Sequence, residues 1–442
     1  MTLRIGIRRE DKNHWERRAP LTPDHVAELV HEHRLEVIVQ PSGRRAFPDR
    51  AYAAAGARLD KDLSACPIVL GVKEVPRDKL ESKRAYLYFS HVIKGQPQNM
   101  PMLQRVLEQR CTLIDYELIV DKKGRRLIFF GRHAGYAGAI DSLWALGQRL
   151  EVEGFETPLS SILLAHEYDS LEEAMQSIRE AGDQIRKERL PDNLHPIVVA
   201  FTGEGNVSTG AQEVFDRLPV ETISPDELPA LMAEPLRARR RLFKLQLPPP
   251  LTVDRVGGGD FDWDEYVQHP ELYVANMNRW LEHITMLVHG IYWEPRFPRI
   301  VTREWVEQHW AKHEQPTLRV IGDIACDIEG SVEVTLEATT PGDPVYVYEP
   351  ERKGIVRGVR GRGPVIMAVD NLPCELPVEA SDHFGDALLR FVPLLARCDW
   401  NRPLEELALP AEIKNAIIAH DGKLAPAWQH LQAHLPPSRG KE

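Results

Sequence analysis

Cysteine is scarce in this chain. Five cysteines, Cys66, Cys111, Cys326, Cys374 and Cys398, are spread over 442 residues without CxxC or Cys/His ligand spacing. That argues against a disulfide framework and a zinc site, and for a reducing compartment. No apolar run approaches the roughly 18 residues that cross a bilayer, and the start of the chain lacks the blocks of a secretory signal. The expected setting is the cytoplasm. Positive charge is in deficit, 55 Lys and Arg against 66 Asp and Glu, for a net charge of -11. General affinity for nucleic acid or for an anionic membrane is therefore not expected. The one basic run, Arg237 to Lys244, reads as a solvated helix face or as a phosphate-contacting loop. A Ser-His-Asp order, a Walker loop and an HExxH motif are missing, so hydrolase and kinase chemistry have no footing. No internal repeat is visible.

What is present is the rhythm of an α/β protein long enough for two or three domains. Short β-branched runs at Leu3 to Ile7, Leu35 to Val39, Pro67 to Val72, Ala85 to Phe89 and Thr112 to Ile114 predict strands. Between them, Thr22-Pro23-Asp24 supplies an N-cap, a first-turn proline and an early acid for one helix, and a second spans Pro101 to Gln109. From Ala134 to Leu150, small residues (Gly135, Ala137, Gly138) lead into Ile140, Leu143 and Leu146 at helical spacing. This predicts a long helix whose start packs closely against a neighbour. Ser170 with Glu173 forms a capping box for the next. Further strands are expected at Pro196 to Phe201, Val220 to Ile223, Leu318 to Ile321 and Val365 to Val369. Pro248-Pro249-Pro250 and Gly257-Gly258-Gly259 bracket what reads as an insertion near 235–275.

Two patterns could carry chemistry. The first, Ile197 to Ala211, is a buried strand, a glycine turn and a helix start, the arrangement that aims backbone N–H groups at a pyrophosphate. Gly203 and Gly205 allow the turn. Ser208 stands at the usual third glycine, so an ordinary strand-to-helix turn remains the other reading. The following strand ends at Ser224-Pro225 rather than at an acid, which favours NADPH over NADH. Asp323 closes a later strand, where an acid can hold a ribose or orient an ammonium group.

The second pattern lies in the first domain. Three successive strands end in Lys73-Glu74, in Ser90-His91 with Lys94 one turn on, and in Asp115-Tyr116-Glu117. The carboxyl ends of strands in an open sheet are where ligands bind. Arg17-Arg18 and Arg125-Arg126 add planar donors suited to carboxylates. Each residue alone could be a solvated turn residue; the set reads as a site. The run Asp370-Asn-Leu-Pro-Cys-Glu-Leu-Pro377 reads either as a motif or as prolines and helix caps alone.

The stretches Arg8 to Pro23, Phe89 to Gln96, Leu113 to Glu117, Phe201 to Ser208, Gly290 to Glu294 and Val369 to Pro377 resemble the lysine-ketoglutarate reductase half of the α-aminoadipic semialdehyde synthase family. More distantly the chain is similar to the lysine-forming saccharopine dehydrogenases and to alanine dehydrogenase. The resemblance implies an α/β fold of two Rossmann-like doubly wound domains with an interdomain active-site cleft. The substrate domain would comprise 1–135 plus about 355–442, and the dinucleotide-binding domain about 136–354. It implies reductive condensation of the lysine ε-amine with 2-oxoglutarate to saccharopine, with NADPH, or NADH, as hydride donor. It assigns Lys73 and His91 as the acid-base pair and Glu117 as an acid that tunes it; Glu74, which looks more like the fungal lysine-forming enzymes, is expected to help hold the pair in range. Arg18, Lys94 and Arg126 match substrate-binding positions, and Gly203, Gly205, Asn206 and Asp323 the cofactor side, with Val207 and Ser224 as further cofactor candidates beside them. The bifunctional relatives continue into a saccharopine-cleaving domain, so a separate enzyme of that kind is an expected partner. The rival readings are NAD-dependent saccharopine oxidation in the lysine-forming direction, a related amino-acid dehydrogenase, and a non-catalytic dinucleotide or metabolite sensor.

Overall fold

The computed structural model describes residues 3–194, 196–233 and 239–436. The chain forms two compact units, Met1–Phe130 with Pro377–Glu442, and Gly131–Leu376.

The first unit is built on the strands β1 (Arg4–Ile7), β2 (Glu36–Val39), β3 (Arg58–Leu59), β4 (Ile68–Leu70), β5 (Ala85–Tyr88) and β6 (Thr112–Asp115), with β17 (Ile417–His420) and β18 (Lys423–Leu424) from the end of the chain. The sheet order is β18-β17-β6-β5-β4-β1-β2-β3. β1 to β6 are parallel, and β17 lies antiparallel on β6. The order reverses between β1 and β4. In a doubly wound sheet that switch point opens a crevice at the carboxyl ends of the strands. The Pro23–His31 helix starts as expected, but its cap is unusual: the N–H of Thr22 donates to His25 Nδ1 at 3.1 Å. Phe384, Leu388 and Val392 from the returning segment bury into the same core as Ile5, Val37 and Leu87.

The second unit holds β7 (Val198–Thr202), β8 (Val220–Ile223), β9 (Leu242–Leu247), β12 (Met286–His289), β13 (Val320–Asp323), β14 (Val345–Glu349), β15 (Gly354–Arg357) and β16 (Val365–Met367). Their order is β15-β14-β16-β13-β12-β7-β9-β8. The switch point here lies between β7 and β12. Three expectations are corrected. First, β9 falls inside the segment read as an insertion, yet it pairs along its length between β7 and β8; the excursion proper is the small antiparallel pair β10 (Val253–Arg255) and β11 (Tyr273–Ala275). Second, the start of the basic run, Arg237, lies outside the described residues, while Arg241 and Lys244 are on or beside this strand, not on a helix, and pair with Glu221 and Asp216. Third, residues 355–376 belong to the second unit because β15 and β16 pair in its sheet, so the return to the first unit comes at Pro377.

The long helix, Gly131–Val152, begins on glycines for a steric reason. A Cβ on Gly135 would run into the carbonyl oxygen of Val207, and one on Gly210 into that of Arg132. Backbone therefore touches backbone where this helix crosses the Asn206–Phe215 helix. Gly135→Ala is expected to cost about 2 kcal/mol or more through overpacking and to lower the melting midpoint by several degrees, read by thermal unfolding.

The Leu372–Glu375 segment of the proline-rich run is tied to the same helix by an acid pair. Asp141 and Glu375 are fully or nearly fully buried, and each carboxyl group acts on the other. Asp141 Oδ1 accepts the N–H of Ala165 at 2.9 Å, and His166 Nδ1 lies 3.3 Å from Glu375 Oε2. Burial pushes Glu375 up to about 8 and Asp141 well above its ordinary range. Two ionised carboxylates held together in the interior repel each other, so the pair favours holding a proton.

Candidate active site

The switch point of the first unit gathers the candidate acid-base residues. After β1, Glu10 turns inward and accepts the N–H groups of Val72 and Lys73 at 2.8 and 3.0 Å, fixing the turn after β4. Arg8 Nη1 stands 3.6 Å from its Oε2. Burial raises the Glu10 carboxyl, while Arg8 and the two N–H groups pull it down. Lys73 is half-buried on this clamped turn. Glu74, next along, lies 2.6 Å from His91 Nδ1 through Oε1 and 3.3 Å from Lys12 Nζ through Oε2. Burial would raise the Glu74 carboxyl, but the hydrogen bond and charge of His91, with Lys12 beyond, hold it down to about 2. Glu74 is thus ionised at working pH. It keeps the proton on Nδ1 and leaves Nε2 as the exchanging nitrogen.

His91 itself is held in a left-handed conformation, φ 48°. Such a backbone persists in a non-glycine residue only where its surroundings impose it. Asn99 Nδ2 donates to the His91 carbonyl at 3.0 Å. The imidazole stacks on Phe89, with centroids 6.3 Å apart. Phe89 in turn meets Tyr116 and Phe384 in an aromatic floor. Ser90 is buried against Asp115, whose carboxyl, raised by burial, accepts from the Ser90 backbone at 3.0 Å and from its hydroxyl. A cavity of about 500 Å³ opens beside Glu74, with Lys12, Arg77, Gln98 and Asn99 in its wall.

The remaining candidates are placed differently. Glu117 was expected to tune the pair; it forms an ion pair with Arg126 instead, its own N–H bound to Asp115 at 2.8 Å. Arg18 is buried, its guanidinium forked onto Glu16 at 2.8 and 2.6 Å, with Cζ 4.2 Å from the Phe130 ring. It is a held cation, not a solvated one. Lys94 is exposed, and its N–H donates to Gln96. Glu10 and Glu16 were missed, although both lie within the Arg8 to Pro23 stretch. Acids flanked by arginines in a loop read as surface charge until burial is known.

In the second unit, Gly203 takes φ 78° and Gly205 caps the Asn206–Phe215 helix. No atom lies within 4 Å of a Cβ position on Gly205, so the turn's outer face is open. Asn206 is exposed, and the side chain of Val207 packs over Gly290. An exposed helix N-terminus with a bare glycine backbone suits a dinucleotide pyrophosphate. Two cofactor candidates have partners within the protein. Ser224 follows β8, which lies one strand outside β9, and its hydroxyl and N–H are taken by Glu227 at 3.1 and 2.8 Å. It is β9 that ends beside the glycine turn, Gly203 N–H donating to Leu247 at 3.4 Å. Asp323 is buried, its carboxylate accepting from Thr335 Oγ1 at 2.6 Å and Cys326 N–H at 3.2 Å, and burial pushes it up to about 7. Its carboxylate is turned into the interior.

Next to it, at the end of β12, His289 was not singled out by the sequence. It is fully buried, with Nδ1 2.9 Å from Thr202 Oγ1, and burial lowers it to about 4. A base whose folded value lies below its ordinary 6.5 supports the fold fully above that value and loses its contribution as pH falls toward 4. His289→Asn is expected to flatten the acid side of the stability profile by up to about 3 kcal/mol between pH 7 and 4, measured by urea unfolding. Equal slopes in both proteins would refute this.

Comparison with known proteins agrees with the two-sheet architecture. Residues 6–137 match the profile of the alanine dehydrogenase/PNT N-terminal domain and residues 294–427 that of the C-terminal domain. A solved L-alanine dehydrogenase superposes with a TM-score of 0.62 at 20% identity, covering 98% of this chain and 100% of that one. The chain belongs to the alanine dehydrogenase/PNT family, a family of oxidoreductases.

Within it the chain is similar to alpha-aminoadipic semialdehyde synthase, mitochondrial, of Bos taurus, at 37% identity over 441 residues. That match covers 97% of this chain and 47% of the relative, so the chain spans about half the length of this curated relative. It is also 27% identical to the saccharopine dehydrogenase [NAD(+), L-lysine-forming] of Neurospora crassa, over 90% of this chain and 92% of that protein. Among the described residues, no helix is long and apolar enough to cross a membrane, and no group of side chains could hold a metal ion.

Proposed function

We propose that this chain condenses the ε-amine of lysine with 2-oxoglutarate and reduces the resulting imine to saccharopine. The observation that carries the reading is the Glu74–His91 pair beside Lys73 at the switch point, in a chain 37% identical to a semialdehyde synthase. A nicotinamide dinucleotide supplies the hydride when bound. Gly203, Gly205, Asn206 and Val207 would hold its pyrophosphate. The strand next to the glycine turn ends in Leu247-Pro248, with no acid for ribose hydroxyls, which supports NADPH.

Lys73 takes the proton from the incoming ammonium, so that the neutral amine can attack the ketone. His91, protonated at Nε2 and steadied by Glu74 at Nδ1, gives that proton to the hydroxyl of the carbinolamine, which leaves as water. The imidazole then serves the secondary amine formed by reduction. Positioned proton donors and acceptors are suited to such transfers. Arg18, Lys94 and Arg126 would receive the substrate carboxylates, Arg126 exchanging its Glu117 partner for one of them. The Neurospora crassa relative supports the reverse, NAD+-dependent direction as a second reading. Cysteine usage supports a reducing compartment, the cytoplasm in our reading, whereas the Bos taurus relative is named as mitochondrial.

A panel of amino acids and oxo acids with NADPH and NADH, followed at the nicotinamide absorbance with the product identified by mass, tests the proposal. Consumption of NADPH with lysine and 2-oxoglutarate, giving saccharopine, is the expected result. Cofactor binding without turnover on any pair would overturn it in favour of a sensor.

A further inference from the structure

The loop that carries His91 makes two left-handed turns, at His91 with φ 48° and at Gly95 with φ 68°. From inside, Asn99, Glu74 and the Gly95 N–H to Val92 carbonyl bond of 2.9 Å hold it. From outside, it is covered by the last described element. A Cβ on Gly95 would lie 2.7 to 2.9 Å from the ring atoms of His434, so the ring already rests against the Gly95 backbone.

His434 ends a 3₁₀ helix, Pro426–His434. With about three residues per turn, Trp428, Leu431 and His434 fall on one face. Leu431 is fully buried and Trp428 packs on the core of the first unit. The helix is therefore anchored through its first two face residues and presents the third to the loop. Gly95 is buried beneath that ring, while Lys94 beside it is exposed. A strained backbone needs such over-determination, and displacement of an acid-base group by about 1 Å can cost as much as 100-fold in rate.

We propose that this terminal 3₁₀ helix is a buttress for the His91 loop and that His434 is a positioning residue for the reaction, acting through Gly95 on the left-handed backbone of His91. The inference rests on the function proposed above, so its test has one readout that needs no turnover. In protein labelled with 15N-histidine, the His91 ring signals, assigned by their loss in His91→Gln, report tautomer and environment. His434→Ala is expected to shift or broaden them and to lower kcat with lysine and 2-oxoglutarate by roughly 10- to 100-fold with little change in KM. His434→Phe, which keeps a flat ring on Gly95, is expected to restore both.

The pair of positions can also be tested together. Gly95→Ala should be severely impaired by the clash, and Gly95→Ala/His434→Ala less so, because the second change removes the ring the methyl meets. Unchanged His91 signals in His434→Ala overturn the proposal. So does a Phe variant as impaired as the Ala variant, and so do strictly additive effects in the double variant. If the wild type turns over no lysine, the proposed function fails, and the His91 signals alone decide the buttress.

Discussion

Replacing His91 with glutamine, or Lys73 with methionine, is expected to reduce turnover of lysine with 2-oxoglutarate by roughly 10²- to 10⁴-fold while leaving the melting midpoint nearly unchanged. Glutamine can still donate an amide N–H to Glu74, so the hydrogen bond that orients the side chain survives. What is lost is a nitrogen that can both release and accept a proton. His91 is about one-third exposed, so little packing is lost with the ring. Because Glu74 stays ionised down to about 2, its charge is constant over any practical assay range. Changes of rate with pH then report other groups of the site. Steady-state kinetics and thermal unfolding of the two variants check the assignment, and near-native kcat in both would remove Lys73 and His91 from the mechanism.

Glu375→Gln is expected to make the protein more stable than wild type on the alkaline side. The folded value of about 8 stands above the ordinary 4.5, so the folded state keeps a proton that the unfolded state releases. The stabilisation from that proton is complete below the ordinary value and is lost as pH rises toward 8. The amide is neutral and has no proton to lose, so Glu375's share of that loss disappears. A shift of this size corresponds to several kcal/mol, or roughly 5–10 °C in melting midpoint near pH 9. Melting curves from pH 5 to 9 are the measurement, and parallel slopes for both proteins would show that the two carboxyl groups do not share a proton.

Much of the first unit was legible in the sequence because each strand is a short apolar run bounded by turn residues, and its charges stand just past the strand ends. The glycine turn and the Ser170 cap, whose side chain receives the Glu173 N–H at 3.2 Å, are local signals of the same kind. The partners of the site were not legible. Glu74 finds His91 through pairing of β4 with β5, and Glu117 finds Arg126 through a local turn, which a list of strand ends does not distinguish. Asp141 and Glu375 lie far apart in the chain and meet only by burial. β9 escaped because Lys244 and Gln246 interrupt its apolar residues and a proline triplet follows. His289 closes an apolar run and resembles any strand-end residue until its complete burial is seen.

The exchange of β8 and β9 in the second sheet has a practical side for protein engineering. Cofactor preference in dinucleotide-binding folds is customarily altered at the residue that follows the second strand in sequence. In this chain that residue is Ser224, two strand spacings or ~10 Å across the sheet from β7, and already committed to Glu227. A designer guided by sequence order would edit a position away from the strand that borders the glycine turn. The place to introduce a carboxylate or a cation is the Leu247-Pro248 corner, reached by the strand that comes third in the chain and second in space.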